Sequence, residues 1–209
     1  MSLDRAEGDL VALAPKQLSG TEHFHQGRVE FPLTVGAFWS WAYSNLAANN
    51  LRGHLAEFLV ASDLGVTDKA RIEWDDFDLC TKDSQIKVEV KSAAYLQSWN
   101  QSKHSRISFG IAPSVPWNAG AKARVGKAVR NSDVYVFCLL AHKEKSSLDP
   151  IDLDQWTFFV LPTSVLNTKL KEQKTLTLGV LEGLEKAKEC KRCKYGEIAR
   201  TIKIALAGH

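Results

Sequence analysis

The sequence predicts an α+β protein, α/β/α-like in its layering, with a central mixed, largely antiparallel sheet flanked by helices. Three observations predict it: helix-period apolar spacing early in the chain, a change to short alternating runs after about residue 70, and a return to helical spacing near the C-terminal end. With 209 residues, 44% hydrophobic and 24% charged, the chain can bury one substantial core. No internal repeat and no Pro/Gly/Ser linker divides it. Residues 1–30 are polar and irregular and read as a partly disordered N-terminal segment, which leaves 31–209 as a single domain.

Taken in order, Thr34 is placed to cap a helix running through VGAFWSWAYSNLA, and Asn49 and Asn50 mark a break. A second helix is expected from about Leu51 to Leu64, closed by Gly65 in the left-handed position. Phe38, Trp39, Trp41 and Tyr43 read as the surface that packs the first helix onto the body rather than as base-stacking rings. Ile72 to Trp74, Phe77 to Thr81 and Ile86 to Ala93 then read as three short strands, the last two joined by the polar turn Lys82-Asp83-Ser84-Gln85. Further strands are expected at Arg106 to Ile111, Asp133 to Leu140 and Trp156 to Leu161, a short helix at Thr163 to Leu170, an edge strand at Thr175 to Val180, and a last helix from Tyr195 to Ala207.

Composition excludes some functions and points to one. The longest apolar run, Val134 to Ala141, is far below the roughly 20 residues that a membrane-spanning helix needs. The N-terminus carries Asp4, Glu7 and Asp9 without an apolar core, so no secretory signal is read there and a cytoplasmic location is expected. Net charge is only +3, but its distribution is uneven. Between Glu89 and Asp133 no Asp or Glu occurs, while Lys91, Lys103, Arg106, Lys122, Arg124, Lys127 and Arg130 all fall there beside Trp99 and Trp117. Cations interleaved with flat aromatic rings suit a phosphate backbone and unstacked bases, and a solvated basic loop is the plainer alternative.

In the strand Ile86-Lys87-Val88-Glu89-Val90-Lys91 side chains alternate between faces, so Glu89 and Lys91 are neighbours opposite Ile86, Val88 and Val90. A carboxylate that can hold Mg²⁺ beside an ammonium that can offset charge on a phosphorane is what metal-assisted phosphodiester cleavage requires. Because Mg²⁺ takes only one or two carboxylates, a second acid is expected from the neighbouring strand. Asp78 is placed for that role; Asp76 shares its face and is the alternative, while Asp75 points away. On the preceding helix Leu51, Leu55, Phe58, Leu59 and Ser62 form one apolar stripe, with Glu57 on its flank beside His54 and Ala61. Periodicity alone would make Glu57 a solvated residue.

The series RGHLAEFLVA, EWDDFDLCT and IKVEVKSAAYLQSW resembles the PD-(D/E)XK, or restriction-endonuclease-like, nuclease superfamily over about residues 50 to 101, with a consistent strand order to about 162. In that family a helical Glu precedes an Asp on one strand and an E-x-K on the next. The resemblance implies Glu57 as the helical acid, Asp78 and Glu89 as metal-binding acids together with the carbonyl of Val90, Lys91 as the catalytic lysine and Gln97 as an accessory glutamine. Glu57 would bind the metal through water or orient Lys91. Phe77 stands where the family name has Pro, a position that often varies.

For activity, the same resemblance implies an Mg²⁺-dependent nuclease, with Mn²⁺ as a substitute, hydrolysing DNA in restriction or repair. A catalytically inactive nucleic-acid-binding module of the same fold is the alternative, and a homodimer would let two sites cut two strands. Lys103, Arg106, Lys122, Arg124, Lys127 and Arg130 would then form a wall of the substrate groove. Cys190-Lys191-Arg192-Cys193 has zinc-like spacing but lacks a second ligand pair, and His23-Phe24-His25 sits in the polar N-terminal segment, so neither is taken as a metal site. No P-loop, GxSxG or Cys/His pairing suggests nucleotide hydrolysis or acyl chemistry.

Overall fold

A computed structural model describes residues 15–72, 76–115, 117–118 and 123–208. The first element lies inside the stretch expected to be irregular: β1 (His23–Gln26) and β2 (Val29–Thr34) pair antiparallel around Gly27, whose φ of 61° suits a residue without a side chain. Thr34 caps α1 (Val35–Tyr43) as expected, its hydroxyl accepting the Ala37 N–H at 3.2 Å. The expected packing of α1 onto the body is not found. No α1 residue is buried, and Trp41 is 85% exposed.

The next helix, α2 (Asn49–Asp63), ends as the sequence predicts, with Gly65 at φ 67° and the Val66 N–H reaching back to the Ala61 carbonyl at 2.9 Å. Its buried side is Leu51, Arg52, Ala56, Leu59, Val60 and Ala61. The stripe is thus rotated from the expected one, and Phe58 is left 57% exposed. Of the expected meander, Trp74 and residues 73 and 75 lie outside the described residues. The two later strands are β3 (Leu79–Cys80) and β4 (Lys87–Ala94), closed by Thr81, which pairs with Ile86 through backbone and hydroxyl.

The chain continues through β5 (Ser108–Gly110), the short hairpin β6 (Trp117–Asn118) and β7 (Ala123–Arg124), then β8 (Val134–Leu140) and β9 (Trp156–Pro162). After β9 come α3 (Thr163–Val165), running into a wider turn over Leu166–Leu170, and β10 (Thr175–Thr177). The last elements are α4 (Leu178–Lys186), β11 (Lys191–Cys193) and α5 (Ile198–Ala207). The central sheet has the order β11-β9-β8-β4-β3, antiparallel at every pair except β4 with β8. That is the mixed, largely antiparallel sheet expected.

Both faces of the sheet are covered, which is why every residue of β8 is buried and its seven positions read VYVFCLL without polar alternation. Val134, Val136, Cys138 and Leu140 pack with Val88 and Val90 against α2 and α5. Tyr135, Phe137 and Leu139 pack on the other side with Phe109, Leu166, Leu176 and Leu181. The result is three layers, helices on sheet on helices, with β5 and β10 forming a small second sheet in the last layer. Asp63 at the end of α2 accepts the N–H groups of Gly196, Ile198 and Ala199, so one helix terminus caps the start of another. Among the described residues no helix is long and apolar enough to cross a membrane.

Candidate active site

The ladder between β3 and β4 stops after Leu79 pairs with Val88. At the next position on β4 the Val90 N–H is taken by a side chain instead, donating to Asp78 Oδ2 at 2.7 Å. Strand geometry turns the Val90 carbonyl toward the same open edge. Among the described residues no other group donates to Asp78. Burial and the nearby Glu89 carboxylate push its carboxyl up to about 6, against the opposing pull of Lys91.

Alternation along β4 holds as predicted. Val88 and Val90 enter the core shared with α2, while Glu89 and Lys91 face the other way, into a cavity of about 330 Å³ that Asp78 also lines. Lys91 Nζ bonds Glu89 Oε1, and Ser132 Oγ donates to Glu89 Oε2 at 3.2 Å. Glu89 is paired in register with Tyr135 of β8, a buried ring on the cavity wall whose hydroxyl is pushed up to about 12 by burial and by Glu89. Asn131 lines the same cavity with a buried side-chain Nδ2 that has no hydrogen-bond partner among the described residues. Asp76 lines it as well.

Glu57 lies on the other side of Asp78, in a second cavity of about 600 Å³ that shares Phe77 and Asp78 with the first. It is gripped by two nitrogens of a guanidinium, Arg71 Nε on Oε2 and Arg71 Nη2 on Oε1 at 3.1 Å. An orienting contact from Glu57 to Lys91 is therefore replaced by one from Glu89. Glu57 still acts on Asp78 through its charge, adding to the upward push on that carboxyl.

Gln97 is placed elsewhere. It lines neither cavity and is buried, with its Oε1 accepting from Arg52 Nη1 at 3.1 Å and its Nε2 donating to Ala94 O and Ser105 Oγ. The side chain ties the start of α2 to the loop after β4, because β4 ends at Ala94 and the chain has turned away before residue 97. The strand rule that relates Glu89 to Lys91 no longer applies there.

The basic residues divide into two kinds. The described residues between 111 and 130 form a hairpin arm, paired at Ser114 with Val129 and again between β6 and β7, whose base lines the first cavity. Arg130 fastens that base: Nε donates to Ile111 O at 2.8 Å, Nη1 to Asn167 Oδ1, and Nη2 to Lys171 O and Gln173 O. Its donors serve the fold, which removes it from the expected phosphate-binding set. Lys127 on the arm, and Lys103 and Arg106 before β5, are exposed; Arg124 is in β7, and Lys122 lies outside the described residues.

Cys190 and Cys193 pack into different cores on opposite faces of the sheet, so their thiols cannot share a metal ion. Burial raises both thiols, to about 12 and about 11. Among the described residues no three His, Cys, Asp or Glu side chains are gathered closely enough to hold a metal alone. The Asp78–Glu89 pair nevertheless suits a hard divalent cation. Both carboxylates, with Asp76 nearby, line a partly buried cavity with one ammonium, and burial together with Glu89 is what raises Asp78.

The three-layer α+β body thus gathers three carboxylates and an ammonium in one cavity at the base of the hairpin arm. The family model for bacteriophage T4 endonuclease IV matches residues 41–178 of the 209, and the chain belongs to that family. Membership supports a nuclease, and the matched stretch holds both cavities' carboxylates, Lys91 and the whole arm. No curated protein and no solved structure was found to match the chain.

Proposed function

We propose that the chain is a DNA endonuclease of the PD-(D/E)XK, restriction-endonuclease-like kind, dependent on Mg²⁺ or on Mn²⁺ in its place. The observation that carries this reading is the meeting of Asp78, Glu89 and Lys91 in one cavity at the point where the β3–β4 ladder ends. Membership of an endonuclease family supports it independently.

Asp78, Glu89 and the carbonyl of Val90 would hold the cation. Bound there, it would act as a Lewis acid on the scissile phosphate and generate hydroxide from water at neutral pH. Glu89 keeps the Lys91 ammonium beside that phosphate, where it offsets the negative charge gathering on the pentavalent phosphorus or positions the attacking water. The Asn131 amide, without an acceptor among the described residues, is placed to donate to a phosphate oxygen. Glu57 works as a positioning residue, holding Arg71 and biasing Asp78. Lys103, Arg106, Lys122, Arg124 and Lys127 are assigned to the DNA backbone.

Incubating the protein with supercoiled plasmid tests the proposal. Mg²⁺ or Mn²⁺ should convert it to nicked and linear forms, and EDTA should stop the reaction. DNA binding with no conversion by either metal would leave a binding module of the same fold.

A further inference from the structure

The second cavity is built differently from the first. It lies between α2, the 66–72 loop and the β3–β4 turn, and it adjoins the first cavity through the shared Phe77 and Asp78. Its volume, about 600 Å³, is in the range of small-molecule sites and ample for a nucleoside. Its charges are largely matched: Arg71 is bonded to Glu57, and Lys82 to Asp68 at 3.1 Å. A second phosphate would find little net positive charge there. Apolar surface is plentiful, with Phe77 in the wall and Phe58 and Ile72 each 57% exposed at it. Helix spacing sets His54 one turn before Phe58 on the same flank, and its imidazole makes no hydrogen bond among the described residues.

We infer that this cavity receives the unpaired base of the nucleotide next to the scissile phosphate, stacked on Phe58 with its edge read by His54. The inference rests on the nuclease reading and deepens it. A phosphate at Asp78 places the neighbouring nucleoside at the border that the two cavities share. A flat neutral heterocycle with polar edges is the part of a nucleic acid that an apolar, charge-matched cavity accepts. Phe58 then stays exposed for a reason: it is an apolar ring on the flank of a helix whose core side is already filled by Leu59, Val60 and Ala56.

The test is a cycle between protein and substrate. Oligonucleotides cut at one mapped bond are made with a single abasic site at each position around the cut, and kcat and KM are measured for wild type, Phe58→Ala, Phe58→Tyr and His54→Ala. Stacking is worth about 1–3 kcal/mol per base, so Phe58→Ala should raise KM roughly 5- to 150-fold while kcat changes less than about twofold. One abasic position beside the cut should produce the same loss in wild type and no further loss in Phe58→Ala. Phe58→Tyr should restore KM, and His54→Ala should flatten base preference at that one position.

Losses that multiply at every position, or an unchanged KM in Phe58→Ala, would overturn the inference while leaving the nuclease reading intact. Wild type that cleaves none of the substrates with Mg²⁺ or Mn²⁺ would overturn both. Because Phe58 is largely exposed, thermal melting of Phe58→Ala should match wild type, which separates lost stacking from misfolding.

Discussion

The metal-binding role proposed for Asp78 sets two demands that oppose each other. A metal ligand must be ionised, yet burial and Glu89 hold this carboxyl protonated up to about 6 instead of its ordinary 3.8. A carboxyl with a raised folded-state pKa favours the fold at low pH, and that contribution is lost as pH climbs from about 3.8 to about 6. In EDTA at pH 7.5, Asp78→Asn should therefore be more stable than wild type by on the order of 1–3 kcal/mol, a rise of several degrees in Tm. At pH 3.5 the difference should vanish; a variant less stable at pH 7.5 would contradict the assigned strain. Lys91→Ala should instead lose turnover by roughly a hundredfold or more while keeping Mn²⁺ and DNA bound, as judged by calorimetry and anisotropy. Glu89 and Lys91 were legible because strand alternation is local and survives any topology. Asn131, Ser132 and Tyr135 were not, since they reach the site only through the parallel β4–β8 pairing of segments far apart in the chain. Gln97 was expected at the site from resemblance alone, and the chain has left β4 at Ala94 before reaching it.

Among elements, the α2–α5 joint and the hairpin arm carry most of the consequences. Asp63 accepts three N–H groups at the start of α5, a helix that closes one face of the sheet through Ile198, Ile202 and Ala205. Asp63→Ala should cost about 1–2 kcal/mol in chemical denaturation, without changing KM for DNA. The helices capped by Thr34 and closed by Gly65 were legible because caps are written in adjacent residues. The strand expected from Thr175 to Val180 stops at Thr177, and α4 follows in its place. Gly179 and Gly183 weaken the helical signal of α4, and packing of Leu181 into the core overrides it. The three residues of β11 are recruited by the edge of β9, which no local pattern announces.

At the scale of the whole molecule, the proposed grip on DNA rests on the charge asymmetry of the chain. The acid-free segment after β4 supplies the described stem of the arm, whose base lines the first cavity, although Arg130 is spent on fastening that base. Binding should weaken linearly in log salt, and reversing Lys122, Arg124 and Lys127 to Glu should flatten that slope by about two to three units for all sequences alike. An unchanged slope in salt-titrated anisotropy would mean that the arm faces away from DNA. The central claim is that Asp78 and Glu89 hold the cation on which cleavage depends, and single-turnover cleavage of end-labelled DNA across an Mg²⁺ titration tests it most directly. Wild type should show a rate that saturates with Mg²⁺, while Asp78→Asn and Glu89→Gln should each fall at least about a hundredfold at saturating DNA with affinity for DNA retained. Cleavage by either variant within a few-fold of wild type at the same Mg²⁺ would contradict the account.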